Sequence, residues 1–176
     1  MNTSIGWIKK NGGGIVIALL FLGGFVLIAR PSTPTTVSTP PTSSYQGAII
    51  GALSAEEGQF DFGSVSMAKG KVLHEFKMKN TTEADITIGK LYTSCMCTTA
   101  TLEMGGKKFG PYGMPGHGFV PSIGEVIRPG EEATVSAVFD PAAHGPAGVG
   151  RIERSIIVEN SAGEPVEFGF VAVVTP

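Results

Sequence analysis

The sequence predicts an all-β fold: an Ig-like antiparallel β-sandwich, preceded by a single N-terminal transmembrane helix and a Pro/Ser/Thr-rich linker. Three observations predict it. Beyond residue 47, about six or seven short runs alternate apolar and polar side chains, with turn sequences between them. No stretch of that region shows a helical period with caps. The chain is 42% hydrophobic and only 16% charged, with mean hydropathy +0.21, and this apolar excess sits in one run near the N-terminus.

That run lies within residues 1–30. Trp7, Lys9 and Lys10 precede an uncharged stretch from Asn11 to Ala29, and Arg30 follows. Its strongly apolar part covers 15 residues, or 18 with Gly12, Gly13 and Gly14. This is the short end of the roughly 17–25 residues that a spanning helix needs. A cut after Ala29 would put Leu27 at −3 and Pro31 at +2, against the small residues a signal peptidase prefers. The expectation is an uncleaved signal anchor. Lys9, Lys10 and the amino terminus outweigh Arg30, so the N-terminus is expected in the cytoplasm and the remainder outside it.

Residues 31–46 hold 13 Pro, Ser or Thr in 16 positions and no charge. Such a stretch cannot bury a core and acts as a semi-rigid spacer. Residues 47–176 remain as one domain, large enough for an independent core. This part has 15 acidic and 10 basic residues. A domain of that sign would not neutralise phosphates, so no nucleic-acid partner is expected.

The runs follow in order. Residues 60–65 form an early strand. Residues 71–79 place Val72, His74, Phe76 and Met78 on one face and charged side chains on the other. A polar turn at Asn80, Thr81, Thr82 and Glu83 leads to residues 85–93, with Ile86, Ile88 and Leu91. Residues 98–104 are Thr-rich. Residues 133–140 align Val135, Ala137 and Phe139, and residues 151–159 are again β-rich. The last run aligns Val166, Phe168, Phe170, Ala172 and Val174. Pro129-Gly130, Asp140-Pro141 and residues 160–163 supply turns. The only tryptophan is Trp7, so the Cys…Trp…Cys pattern of antibody domains is absent.

Several of these pieces form an ordered series: Phe60-Asp61-Phe62-Gly63, His74-x-Phe76 leading to Asn80, Ser94-Cys95-Met96-Cys97-Thr98, Pro129-Gly130, Val138-Phe139-Asp140, and Ser155-Ile156-Ile157-Val158-x-Asn160. Over residues 58–174 the series resembles a widespread bacterial family of uncharacterised, exported Ig-like domains whose hallmark is a strand-end Cys-Gly-Cys-Thr. That family is similar in fold to hydin-type and major-sperm-protein-type modules. The resemblance implies a sandwich outside the cytoplasm and a non-enzymatic role. Met96 stands where the family usually has glycine, and a Gly/Pro-rich insertion, residues 105–124, follows the cysteine strand.

Cys95 and Cys97 carry the main chemical signal. Positions i and i+2 of a strand face the same side, about 6–7 Å apart. Three readings stay open: a soft-metal site, a labile disulfide closing a small ring, and two inert buried thiols. Met114 and His117 lie in the glycine-rich insertion. Thiolate, thioether and imidazole are the donors that copper selects, so Cys95, Cys97, Met114 and His117 form a candidate four-ligand copper site. His74 reads as a core residue and His144 as a solvated turn residue. Asn80-Thr81-Thr82 is a glycosylation acceptor only in a host that modifies it.

No nucleophile elbow, phosphate-binding glycine loop or His-Glu-x-x-His helix is present. No enzyme is therefore expected. The expected function is a membrane-anchored interaction or structural module of the cell envelope, with an envelope protein as partner. The rival is a copper-binding or thiol-redox domain.

Overall fold

The computed structural model describes residues 51–176. The expected membrane span (1–30), linker (31–46) and residues 47–50 lie outside the described residues. No helix among the described residues is long and apolar enough to cross a membrane.

Among the described residues ten strands form: β1 Leu53–Ala55, β2 Gln59–Ser66, β3 Val72–Asn80, β4 Ile86–Thr93, β5 Thr98–Met104, β6 Lys107–Tyr112, β7 Glu125–Ile127, β8 Glu132–Phe139, β9 Gly150–Asn160 and β10 Val166–Thr175. They make two five-stranded sheets, in the orders β1-β3-β8-β5-β6 and β2-β10-β9-β4-β7. The alternation read from the sequence is the alternation of burial. In β5, Thr98, Ala100, Leu102 and Met104 are buried while Thr99, Thr101 and Glu103 are not. In β10, Val166, Phe168, Phe170, Ala172 and Val174 all face the core. A slip of one residue would turn each such set out to solvent, so the pattern fixes the register.

Aromatic rings join the two layers. Phe76 on β3 stacks on Phe168 of β10 at 4.8 Å, and Phe139 of β8 meets Phe170 of β10 at 5.3 Å. His74 on β3 is half-buried among aromatic rings. Its ring lies flat on Phe60 of β2 at 3.6 Å. Its Nε2 stands 2.9 Å from a Glu57 carboxylate oxygen, without hydrogen-bond alignment.

The structure departs from the sequence reading in three places. The sandwich is not wholly antiparallel: β2 runs parallel to β10, with Phe60 opposite Phe170 and Ser66 opposite Thr175. Strands so far apart in the chain are free of the hairpin constraint that imposes antiparallel pairing. The insertion at 105–124 is not all loop, because its first part is β6. Gly105 and Gly106 have φ of 55° and 75°, the conformation of a tight hairpin turn. At Gly110 the β5–β6 register shifts, and a Cβ there would lie 2.7 Å from the Ala100 carbonyl oxygen. Finally, β1 and β7 are three-residue strands too short to show a period.

Asn80 ends β3 fully buried. Its Nδ2 donates to the carbonyls of Ala84 (2.8 Å) and Ile127 (2.9 Å). Its Oδ1 accepts from Thr82 N–H and the Thr82 hydroxyl. The amide that a glycan would occupy is thus used twice inside the fold. Replacing Asn80 by Ala leaves two carbonyls short of a donor, so the unfolding free energy should fall by about 2–3 kcal/mol in urea titrations. Intact mass from a glycosylating host should show no sugar at this position.

Candidate functional site

The site lies where β4 hands over to β5. Residues 94–97 cross from one sheet to the other, and hydrogen bonds hold the crossing on every side. Ser94 N–H donates to the Ser155 carbonyl at 2.9 Å, and Ser155 N–H returns a bond to the Ser94 hydroxyl at 2.8 Å. The Thr93 hydroxyl stands 3.0 Å from the carbonyl oxygens of both Cys95 and Thr98, sharing its single proton between them. Thr98 N–H donates to the Cys95 carbonyl at 3.1 Å, which makes the tight turn. Asp140 N–H donates to the Cys97 carbonyl at 2.8 Å.

Within this turn Cys95 and Cys97 are joined in a disulfide, with Cα atoms 5.2 Å apart. Both are buried, at 7% and 3% exposure, while Met96 between them is half exposed. The inert-thiol reading therefore does not describe this structure. Cys97 N–H points at Cys95 Sγ, 3.1 Å away, and the Thr98 hydroxyl is 3.6 Å from Cys97 Sγ.

The third member is His144. Its Nε2 lies 3.3 Å from Cys95 Sγ. The ligand atoms of Cys95, Cys97 and His144 all fall within 4.8 Å of one another. His144 opens the short 3₁₀ turn Gly145–Gly148 without capping it through its side chain, which leaves the imidazole free to face the sulfur. The ring is exposed to solvent, so it forms the outer wall of a site whose inner wall is buried sulfur. Gly148 makes room for it: a Cβ at that position would sit 3.1 Å from the Cβ of His144.

The sequence had placed His144 in a solvated turn, and half of that holds. The turn is exposed, yet the imidazole is aimed at Cys95. What brings it there is the pairing of β5 with β8, Thr98 opposite Phe139, which sets the chain after β8 beside the cysteine turn. The sequence carries no local signal of that pairing.

Met114 and His117 lie on the connection between β6 and β7. Gly113 is tied to the end of β4, its carbonyl accepting from Thr93 N–H at 3.2 Å. His117 is exposed in the turn it closes with Met114, whose carbonyl accepts its N–H at 3.1 Å. It stands outside the cluster of Cys95, Cys97 and His144. Beside this connection, Pro115, Gly116, Gly118 and Val120 face Lys90, Tyr92 and Glu159 across an open groove of about 410 Å³. Partial burial, then Glu159, raises the Tyr92 pKa above its ordinary value. No cysteine lines this groove.

Residues 53–109 match the model of a family described as a protein of unknown function, DUF1573. No curated protein matches the chain. Among solved structures, a protein of unknown function from Porphyromonas gingivalis W83 is similar at TM-score 0.51 and 12% identity, over 77% of this chain and 51% of that one. The secreted serine protease VesC from Vibrio cholerae is similar at TM-score 0.46 and 16% identity, over 71% of this chain and 24% of that one. The ASH/PapD-like domain of human CEP192 is similar at 0.43 and 12%, over 83% and 98%. The chain thus spans a quarter of VesC and half of the Porphyromonas protein. At 12% identity the likeness to the Porphyromonas protein is one of fold alone. The family model reaches from β1 into β6, and the two-sheet sandwich extends beyond it to β10.

The Thr93 hydroxyl is the pin of the cysteine turn. Thr93→Val keeps the shape and removes the donor from two carbonyls. It should cost about 1–2 kcal/mol in denaturant unfolding and speed amide exchange at Thr98.

Proposed function

We propose that this chain is a membrane-anchored, extracytoplasmic Ig-like module of the cell envelope whose working element is the Cys95/Cys97 thiol–disulfide centre. One observation carries the chemistry. The disulfide joins two residues of one tight turn, and one of its sulfurs is met by both a backbone N–H and the His144 imidazole. An inert structural bridge needs neither group. The anchor rests on the apolar run and basic flank of residues 1–30, and the outward setting on charge asymmetry and the uncharged spacer. The likeness of Cys95-Met96-Cys97-Thr98 to the Cys-Gly-Cys-Thr hallmark supports kinship with exported domains.

The co-reactant is a dithiol on an envelope protein. Its thiolate attacks one cysteine sulfur and forms a mixed disulfide. The other cysteine leaves as thiolate and takes a proton. The partner's second thiol then resolves the mixed disulfide. Two electrons and two protons arrive at Cys95 and Cys97, and the partner departs as its own disulfide. His144 Nε2 is placed to exchange a hydrogen bond with the Cys95 sulfur as that sulfur is released. Loops and sheet edges supply the docking surface for such a partner.

The test is a redox equilibrium on the full chain in detergent. After poising in dithiothreitol buffers and maleimide quenching, two thiols should appear together, as a two-electron couple, while the near-ultraviolet circular dichroism stays native. Thiols that emerge only once the domain unfolds would reduce the bridge to a structural clamp. In native cells, the Cys97→Ser chain should accumulate a mixed disulfide with an envelope protein. Its absence, with the single thiol accessible, would remove the partner from the scheme.

A further inference from the structure

Opening the bridge leaves two sulfurs and one imidazole nitrogen converging on a single point. We infer that the reduced centre is a three-donor site for a soft monovalent cation, Cu(I), ligated by Cys95 Sγ, Cys97 Sγ and His144 Nε2. The inference rests on the thiol–disulfide reading, since only the dithiol state offers the sulfurs. It replaces the ligand set that the sequence suggests: His144 takes the place of His117, and Met114 is not required.

The geometry argues for it. Donors bound about 2.0–2.3 Å from one metal lie up to about 4 Å from each other. His144 Nε2 and Cys95 Sγ are already 3.3 Å apart, and all three donors lie within 4.8 Å. Reduction lets the two sulfurs separate toward that spacing, with their backbone held by Thr93 and Asp140. The donor types argue for the ion. Thiolate sulfur and imidazole select soft or borderline metals, and hard cations need oxygen. The cluster contains no carboxylate. Three donors fall short of the tetrahedral set of structural zinc but suit Cu(I). Burial argues for retention: the sulfurs are shielded, and the exposed His144 ring provides the route of entry.

The balance is simple. Both thiols lose their protons as the cation binds, so loading releases protons and leaves a site of net charge −1. No electron moves. The disulfide form offers no thiolate and therefore no site. Copper then favours the dithiol by linkage: at free Cu(I) about 100 times its Kd, the dithiol-to-disulfide ratio rises about 100-fold.

The experiment uses the full chain in detergent, reduced and anaerobic, with Cu(I) presented on bicinchoninate. Thiols are counted on the same samples. The expected result is one Cu(I) per chain taken from the chelator, and none by the oxidised chain. X-ray absorption should show two sulfurs and one nitrogen. His144→Ala should weaken binding by on the order of tenfold or more, because even outer-shell partners of a metal site cost 10–100-fold. The Met114→Leu/His117→Ala chain should bind like the parent. Gly148→Ala, which crowds His144, should weaken binding without removing a ligand. Two thiols present with copper left on the chelator would overturn the metal site and leave the redox reading standing. Thiols that never appear in the folded chain would overturn both. Loss of binding in the Met114/His117 chain with none in His144→Ala would restore the other ligand set and overturn this one.

Discussion

Strand β8 lies between β3 and β5, and its register with both is the constraint on which the rest depends. Val135 stands opposite Phe76 on one side and Leu102 on the other, so the registers of three strands of one sheet are set together. The same register carries Phe139 to the level of Thr98. The first residue past β8, Asp140, then reaches the Cys97 carbonyl. Everything from Asp140 to Gly148, His144 included, hangs from that junction. The site is thus an outgrowth of sheet pairing, assembled from a turn and a loop whose contacting residues, Cys95 and His144, are 49 positions apart in the chain.

Two environments meet there. The sulfurs belong to the interior, packed among side chains of both sheets, and the imidazole belongs to the solvent side. The turn is stiff because its carbonyls are occupied from outside. Thr93, Thr98 and Asp140 all donate into it, and Ser94 is bonded across to β9.

Much of the fold was legible in the sequence because several strands bury one face more deeply than the other. Residues 72–78, 98–104, 133–139 and 166–174 needed only their own alternation. Cys95 and Cys97 were legible as a pair for the same local reason. The rest depended on distant pairing. The parallel partner of β2 is more than a hundred residues away. The hairpin after Met104 was marked by Gly105-Gly106, but proline and glycine further along masked the strand beyond it. His144 sits in a Pro/Gly-rich segment that reads as solvated from its own neighbours. Its position beside Cys95 is set by β5–β8 register, which no window of sequence around residue 144 contains.

The parallel ladder between β2 and β10 has a mechanical side. In an antiparallel ladder, force applied at one shared end opens the hydrogen bonds one after another. In a parallel ladder, a pull on Gln59 and an opposed pull on Thr175 act at opposite ends of the pair, because Gln59 lies beside Gly169 and Thr175 beside Ser66. All the bonds between the strands are then sheared together. A tether before β2 and a load after β10 would therefore pull this ladder in shear.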